Sequence, residues 1–168
     1  MILREIGAFL AFIVVLGIIS HVLGEAIPRD AVRFDKFPYA PNKWENGGYF
    51  YKKLRIEAWK RALSDKSRYM RTMVKKNLGE DRSSKHTKRL IEETCVAELV
   101  HWLLLLAGPL FRLISDSVFG LIASILYSLS NVPFIMIQRY NRPRLIAFYR
   151  KTLVREALVY ENTNPIQQ

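Results

Sequence analysis

This 168-residue sequence predicts an all-α integral membrane protein with about three transmembrane helices and a basic amphipathic helix on the cytoplasmic side. Three observations predict it. Apolar stretches of spanning length recur, the polar segments between and after them are strongly positive, and the longest polar stretch without Pro or Gly has helical periodicity. The near-zero mean hydropathy is an average over these opposite segments. We read residues 1–168 as a single membrane domain.

Ile6 to Leu23 contains eighteen residues without a formal charge, close to the ~20 that an α-helix needs to cross hydrocarbon. Ser117 to Ile137 contains twenty-one. Between them, Val96 to Phe111 is apolar except for Glu98 and His101, which a bilayer tolerates where they face protein, water or the interface. The expected spans are therefore about 6–23, 96–111 and 117–137, with a loop over 25–95 and a tail over 138–168. A cleaved signal peptide is the competing reading of the first apolar run, because Gly24-Glu25-Ala26 offers a small-x-small site. Charge favours a retained anchor. Glu25 to Cys95 carries 18 Lys+Arg against 10 Asp+Glu, and Gln138 to Gln168 carries 6 against 2. Three spans put both basic segments on one side, and the positive-inside rule makes that side cytoplasmic. Cys95 is the sole cysteine, which excludes an intrachain disulfide.

Within the loop, Pro28, Pro38, Pro41 and Gly47-Gly48 suit an irregular segment. Tyr49 to Leu78 then lacks Pro and Gly, and Ile56, Trp59, Leu63, Met70 and Val74 recur at helical spacing among Lys and Arg. A solvated basic face has the same pattern; flanking spans favour a helix in the headgroup plane. Ser83 or Ser84 can cap a following helix that runs into the second span. Gly108-Pro109 should interrupt that helix, and Pro133 should free a carbonyl in the third span. A separate tail helix is expected from Ile146 to Val159.

His21, Glu98, His101, Asn131, Gln138 and Arg139 fall near the cytoplasmic ends of their spans. On a helix, Thr94, Glu98, His101 and Leu105 form one stripe, so a carboxylate accompanies an imidazole. Such a carboxylate can fix the tautomer of a general base. The plainer readings are a Glu favourable to the helix dipole and an interfacial His beside Trp102. Arg139, Arg142 and Arg144 can pair with phosphates or simply grip anionic lipid. No metal-ligand spacing occurs, a lone Cys95 is a weak candidate acyl carrier, and the basic pI is explained by topology without nucleic acid.

The strings AELVHW (Ala97–Trp102), NVP (Asn131–Pro133) and QRYNRPRL (Gln138–Leu145) resemble the glycosyl-4,4'-diaponeurosporenoate acyltransferase family of Gram-positive bacteria. Weaker similarity extends through Glu93-Thr94, Trp59-Lys60 and Trp44 to Tyr51. The resemblance implies a multi-pass enzyme of the bacterial cell membrane. Its reaction would esterify a fatty acyl group onto the glucose 6-hydroxyl of a carotenoid glycoside, the last step to a staphyloxanthin-like pigment. It does not itself name catalytic residues. Joined to the stripe, it suggests His101 as base, Glu98 as its orienting partner, and Asn131 or Gln138 as oxyanion donors. Arg139, Arg142 and Arg144 would hold donor phosphates if the donor is acyl-CoA, with Asn141 and Trp102 completing the binding set. No cofactor is expected. Expected partners are membrane lipids, the lipophilic glycoside, the acyl donor and other pigment-pathway enzymes. A non-catalytic scaffold or accessory subunit is the alternative.

Overall fold

The computed structural model describes residues 2–60 and 83–163. The α-helices among them are α1 (Ile2–Ala26), α2 (Tyr49–Lys53), α3 (Ile56–Trp59), α4 (Ser84–Ala107), α5 (Val118–Ser130) and α6 (Val132–Thr163). Tighter 3₁₀ turns occupy Arg29–Ala31, Lys43–Gly48 and Gly108–Leu113, and no β-strand occurs among the described residues. Three helical stretches, Ile2–Ala26, Ser84–Leu113 and Val118–Thr163, are long and apolar enough to cross a membrane. The chain divides into two compact units, one of Met1–Val32 with Cys95–Gln138, the other of Arg33–Thr94 with Arg139–Gln168. Both α4 and α6 contribute residues to each.

In the first unit, α1 runs without proline and turns much of its apolar surface outward. Leu10, Val14 and Ile18, successive on one face, are 53%, 58% and 60% exposed. Apolar area this continuous is stable against hydrocarbon rather than water. The opposite side is aromatic: Phe9 meets Phe111 edge-on with ring centroids 5.1 Å apart, and Phe12 meets it at 5.3 Å. Arg29 closes the helix, donating from Nη1 to the carbonyls of Gly24 (2.5 Å) and Ile27 (2.7 Å), groups that a helix C-terminus leaves without intrahelical partners.

α4 stops where Pro109 lacks an N–H, and the chain tightens into a 3₁₀ turn. Gly108 is required there by space: a Cβ would lie 2.0 Å from Ser128 Oγ and 3.2 Å from the Ser124 carbonyl of α5. Arg112 then braces the next connection, donating to the carbonyls of Ser115 (2.8 Å) and Ser117 (3.0 Å). Ser117 caps α5 by accepting from the Gly120 N–H (3.0 Å) and donates to Glu5 of α1 (2.6 Å). Pro133 acts differently from expectation. It sits in the first turn of α6, where its missing N–H costs little, and the Leu129 carbonyl it would have engaged accepts from the Asn131 N–H instead.

In the second unit, Ser83 caps α4 by accepting from the His86 N–H (3.2 Å). Two expectations are corrected, while the segment 27–48 is irregular and mostly exposed as expected. The helix expected from Tyr49 to Leu78 is divided in its described part: α2 ends at Lys53, and Arg55 takes a left-handed conformation (φ 52°, ψ 36°) before α3. Ile56 is fully buried, so it packs against protein rather than lipid. Leu63, Met70, Val74 and the stretch 61–82 lie outside the described residues. The segment expected to be an irregular surface loop contains a 3₁₀ turn closed by a capping box. In it, the Asn42 N–H donates to Glu45 (2.7 Å), and Glu45 is buried. The tail helix is not separate, because α6 continues through Pro143 to Thr163. Proline leaves the Arg139 carbonyl without its intrahelical donor, but neighbouring side-chain bonds hold that stretch helical.

Candidate active site

The histidine site lies in the first unit and is set by α5. Asn131 ends that helix with its side chain buried, and its Nδ2 donates to the Tyr127 carbonyl one turn back at 2.9 Å. That bond orients the amide so that Oδ1 faces His101 Nδ1 at 3.1 Å. The imidazole also lies flat on Phe134, with centroids 4.6 Å apart and planes 9° from parallel. An amide oxygen can only accept, so this contact requires a proton on Nδ1, and in the neutral ring the lone pair is then at Nε2. Asn131 thus contacts the histidine through one end of its amide and the Tyr127 carbonyl through the other, and its Nδ2 has a second N–H beyond the one given to Tyr127.

Glu98 is 1% exposed and accepts from the Trp102 indole N–H at 3.4 Å. It stands three residues before His101 on α4, on the predicted stripe. Trp102 is partly exposed, and His21 is exposed on α1. Gln138 is 5% exposed, and its Oε1 is enclosed without a hydrogen-bond partner among the described residues. It follows Asn131 by seven residues, two helical turns or about 10 Å along the axis. The group left unmet is an acceptor.

The arginines belong to the second unit and differ from one another. Arg139 pairs with buried Glu45 through both Nε and Nη2, the latter at 3.2 Å to Oε2. Arg142, 1% exposed, donates to Thr94 Oγ1 (3.0 Å), the Thr94 carbonyl (3.1 Å) and the Tyr39 carbonyl (2.8 Å). Arg144 is partly exposed, pairs with Glu57 at 3.0 Å and stacks 3.9 Å above the Tyr140 ring. The Tyr140 hydroxyl also donates to Glu57. Asn141 is half-buried and makes no side-chain hydrogen bond among the described residues.

Burial pushes the Glu45 carboxyl up, but hydrogen bonds from Arg139, Tyr51 and the Asn42 N–H outweigh it and hold the group below its ordinary range. The Tyr51 hydroxyl, donating to Glu45 at 2.6 Å, is pushed up by burial and by that charge. Hydrogen bonds from Tyr140 and Arg144 likewise hold exposed Glu57 low. Glu45, Glu57 and Phe134 are the partners that sequence reasoning missed. The aromatic-rich segment around Glu45 was the available signal for one; nothing in the sequence marks the others.

An α-helical membrane protein is defined by these features, with a buried carboxylate and an oriented histidine on one of its apolar helices. A family model described as glycosyl-4,4'-diaponeurosporenoate acyltransferase matches residues 35–151, which include every residue of the site. A protein of that name from Staphylococcus aureus (strain bovine RF122 / ET3-1) is 31% identical over 134 residues, covering 76% of this chain and 78% of the relative. Another from Staphylococcus haemolyticus (strain JCSC1435) is 31% identical over 115 residues, covering 67% of this chain and 66% of the relative. No solved structure matches. The chain belongs to the glycosyl-4,4'-diaponeurosporenoate acyltransferase family and is an acyltransferase.

Proposed function

We propose that the protein esterifies a fatty acyl group onto the glucose 6-hydroxyl of a carotenoid glycoside such as glycosyl-4,4'-diaponeurosporenoate, with His101 as general base. The observation that carries the mechanism is the 3.1 Å bond between His101 Nδ1 and Asn131 Oδ1, because it assigns the basic lone pair to Nε2. Nε2 takes the proton of the sugar hydroxyl as its oxygen attacks the carbonyl of an activated acyl donor. The C–O ester bond forms, the bond to the leaving group breaks, and the proton passes from the imidazolium to that group. A thioester such as acyl-CoA meets this requirement, and direct transfer needs no covalent enzyme intermediate. Glu98, with Trp102, supports the electrostatics of the imidazolium, and Gln138 binds a hydroxyl of the acceptor. Arg139 and Arg142 hold the fold of their own unit, and Arg144 is the most exposed of the three.

The enzyme is multi-pass in this reading, with the basic segments 25–95 and 138–168 cytoplasmic. Accessibility of a cysteine placed at Lys85 in a Cys95→Ala background tests that: reaction with an impermeant reagent on intact cells contradicts it. The chemistry is tested by His101→Gln. Removing a positioned base costs on the order of 10²- to 10⁴-fold in rate. Ester formation on a glycosylated carotenoid should be lost to that extent with membrane insertion intact, whereas wild-type turnover by the purified variant refutes the mechanism. A scaffold would tolerate both this change and Glu98→Gln.

A further inference from the structure

A second feature lies in the unit that holds the arginines. Asn46, Gly47, Gly48, Tyr49, Lys52 and Arg144 line an open pocket of about 230 Å³. Its cationic groups differ in character. Arg144 is fixed, because its guanidinium is stacked 3.9 Å over Tyr140 and tied by Nη2 to Glu57 at 3.0 Å. A guanidinium has five N–H donors, so that pairing leaves others for a ligand. Lys52 is exposed and makes no ion pair among the described residues. Among the lining residues, Gly47 (φ 61°) and Gly48 (φ 95°) hold left-handed conformations that suit glycine, and a Cβ at Gly47 would meet nothing within 4 Å.

A guanidinium held by Tyr140 and Glu57, an exposed ammonium and two lining glycines suit a compact anion with several acceptor oxygens. Glu57 offsets one of the two charges, so the site remains net positive. Its volume is below the ~300–1,000 Å³ of sites that enclose a drug-sized ligand. A phosphoryl group therefore fits, with the rest of its carrier outside. We propose that this pocket binds a phosphate monoester or diphosphate group. Arg144 makes the oriented, bidentate contact and Lys52 closes on the opposite oxygens. Two sources share that chemistry: the phosphates of a thiol carrier of the acyl donor, and the headgroup of an anionic lipid. Only the choice of the first rests on the acyl transfer proposed above. Because the readout is equilibrium binding, it does not depend on His101, and the two proposals can fail separately.

The test uses the full-length protein in phosphatidylcholine nanodiscs, with CoA as the soluble probe, titrated calorimetrically. Wild type, Lys52→Gln and Lys52→Gln/Arg144→Gln are compared; native mass spectrometry then counts phosphatidylglycerol retained by each from mixed-lipid discs. Loss of CoA affinity by about tenfold for the single variant, and more for the double, supports the pocket with a donor phosphate as its ligand. Loss of retained phosphatidylglycerol without a change in CoA binding supports it with a lipid headgroup. Equal CoA affinity and equal lipid retention across all three proteins overturn the proposal. Lys52 is exposed and without an ion pair, so Lys52→Gln is not expected to disturb folding, and its result stands even if the double variant is destabilised.

Discussion

If Asn131 acts through His101, its substitutions should change the pH dependence of catalysis and not only its rate. Asn131→Leu keeps the approximate volume but removes the acceptor at 3.1 Å from His101 Nδ1 and the donor at 2.9 Å from the Tyr127 carbonyl. A lost bond that leaves a buried partner unsatisfied costs about 1–3 kcal/mol. If that cost falls on the oriented tautomer, it is a rate loss of roughly 5- to 150-fold. That is smaller than the effect of removing the imidazole and should appear in kcat rather than KM. Asn131→Asp keeps an acceptor but adds negative charge, which favours the imidazolium and raises the histidine pKa. The base is then protonated at higher pH, so the acidic limb of the kcat profile should move toward alkaline pH while activity at its plateau is largely kept. Purified variants in nanodiscs, assayed for carotenoid ester by chromatography across pH, give both quantities. If Asp and Leu variants lose the same activity and keep the wild-type profile, Asn131 does not act through His101, and the assignment of the lone pair to Nε2 falls with it.

Other outcomes follow from local geometry. Gly108→Ala should destabilise by about 1–3 kcal/mol, because its methyl would stand 2.0 Å from Ser128 Oγ; an unchanged melting temperature contradicts the close packing of α5. Gln138→Leu removes an enclosed acceptor without a partner among the described residues, so stability should be unchanged or slightly higher while turnover drops at least about tenfold if a substrate hydroxyl uses that oxygen. Full turnover in Gln138→Leu would assign the residue no part in the reaction. Glu45→Gln breaks the pairing with Arg139 and should cost about 3 kcal/mol at neutral pH. Because the folded carboxyl is held below its ordinary range, its contribution is complete above the unfolded value and is lost as pH falls through the folded one. Melting measured from pH 7 downward should therefore fall in acid for wild type and show less of that dependence in Glu45→Gln; parallel curves would exclude the linkage.

The apolar helices were legible because spanning length and low charge are properties of composition, and Gly108-Pro109 marked the end of α4 by its own backbone chemistry. The break at Leu54-Arg55 was not legible. A non-glycine residue is left-handed there because tertiary contacts impose it: Ile56 is driven into the core, and the Trp59 indole donates to the Leu54 carbonyl at 3.1 Å. Helical periodicity across the same residues predicts one continuous helix. The stripe of Glu98 and His101 could be read from spacing within one helix. The orienting bond from Asn131 could not, since it depends on how α5 is turned toward α4 across thirty residues of sequence.

The three arginines show why a shared block need not be a catalytic one. In the sequence, Arg139, Arg142 and Arg144 are equivalent neighbours near a membrane span. In the fold, their partners come from residues some 50 to 100 positions earlier: Glu45 for Arg139, Tyr39 and Thr94 for Arg142, Glu57 for Arg144. Tyr140 adds its hydroxyl to Glu57. Most of the distinctive residues in QRYNRPRL are thus accounted for by the internal structure of one unit. The proposed chemistry rests on the other two strings, where AELVHW supplies Glu98, His101 and Trp102 and NVP supplies the asparagine bonded to the ring. Of the longer block, Gln138 with its enclosed acceptor and Arg144 with its exposed guanidinium are the positions whose chemistry the fold leaves unexplained, so substitutions there separate function from folding better than changes at Arg139 or Arg142.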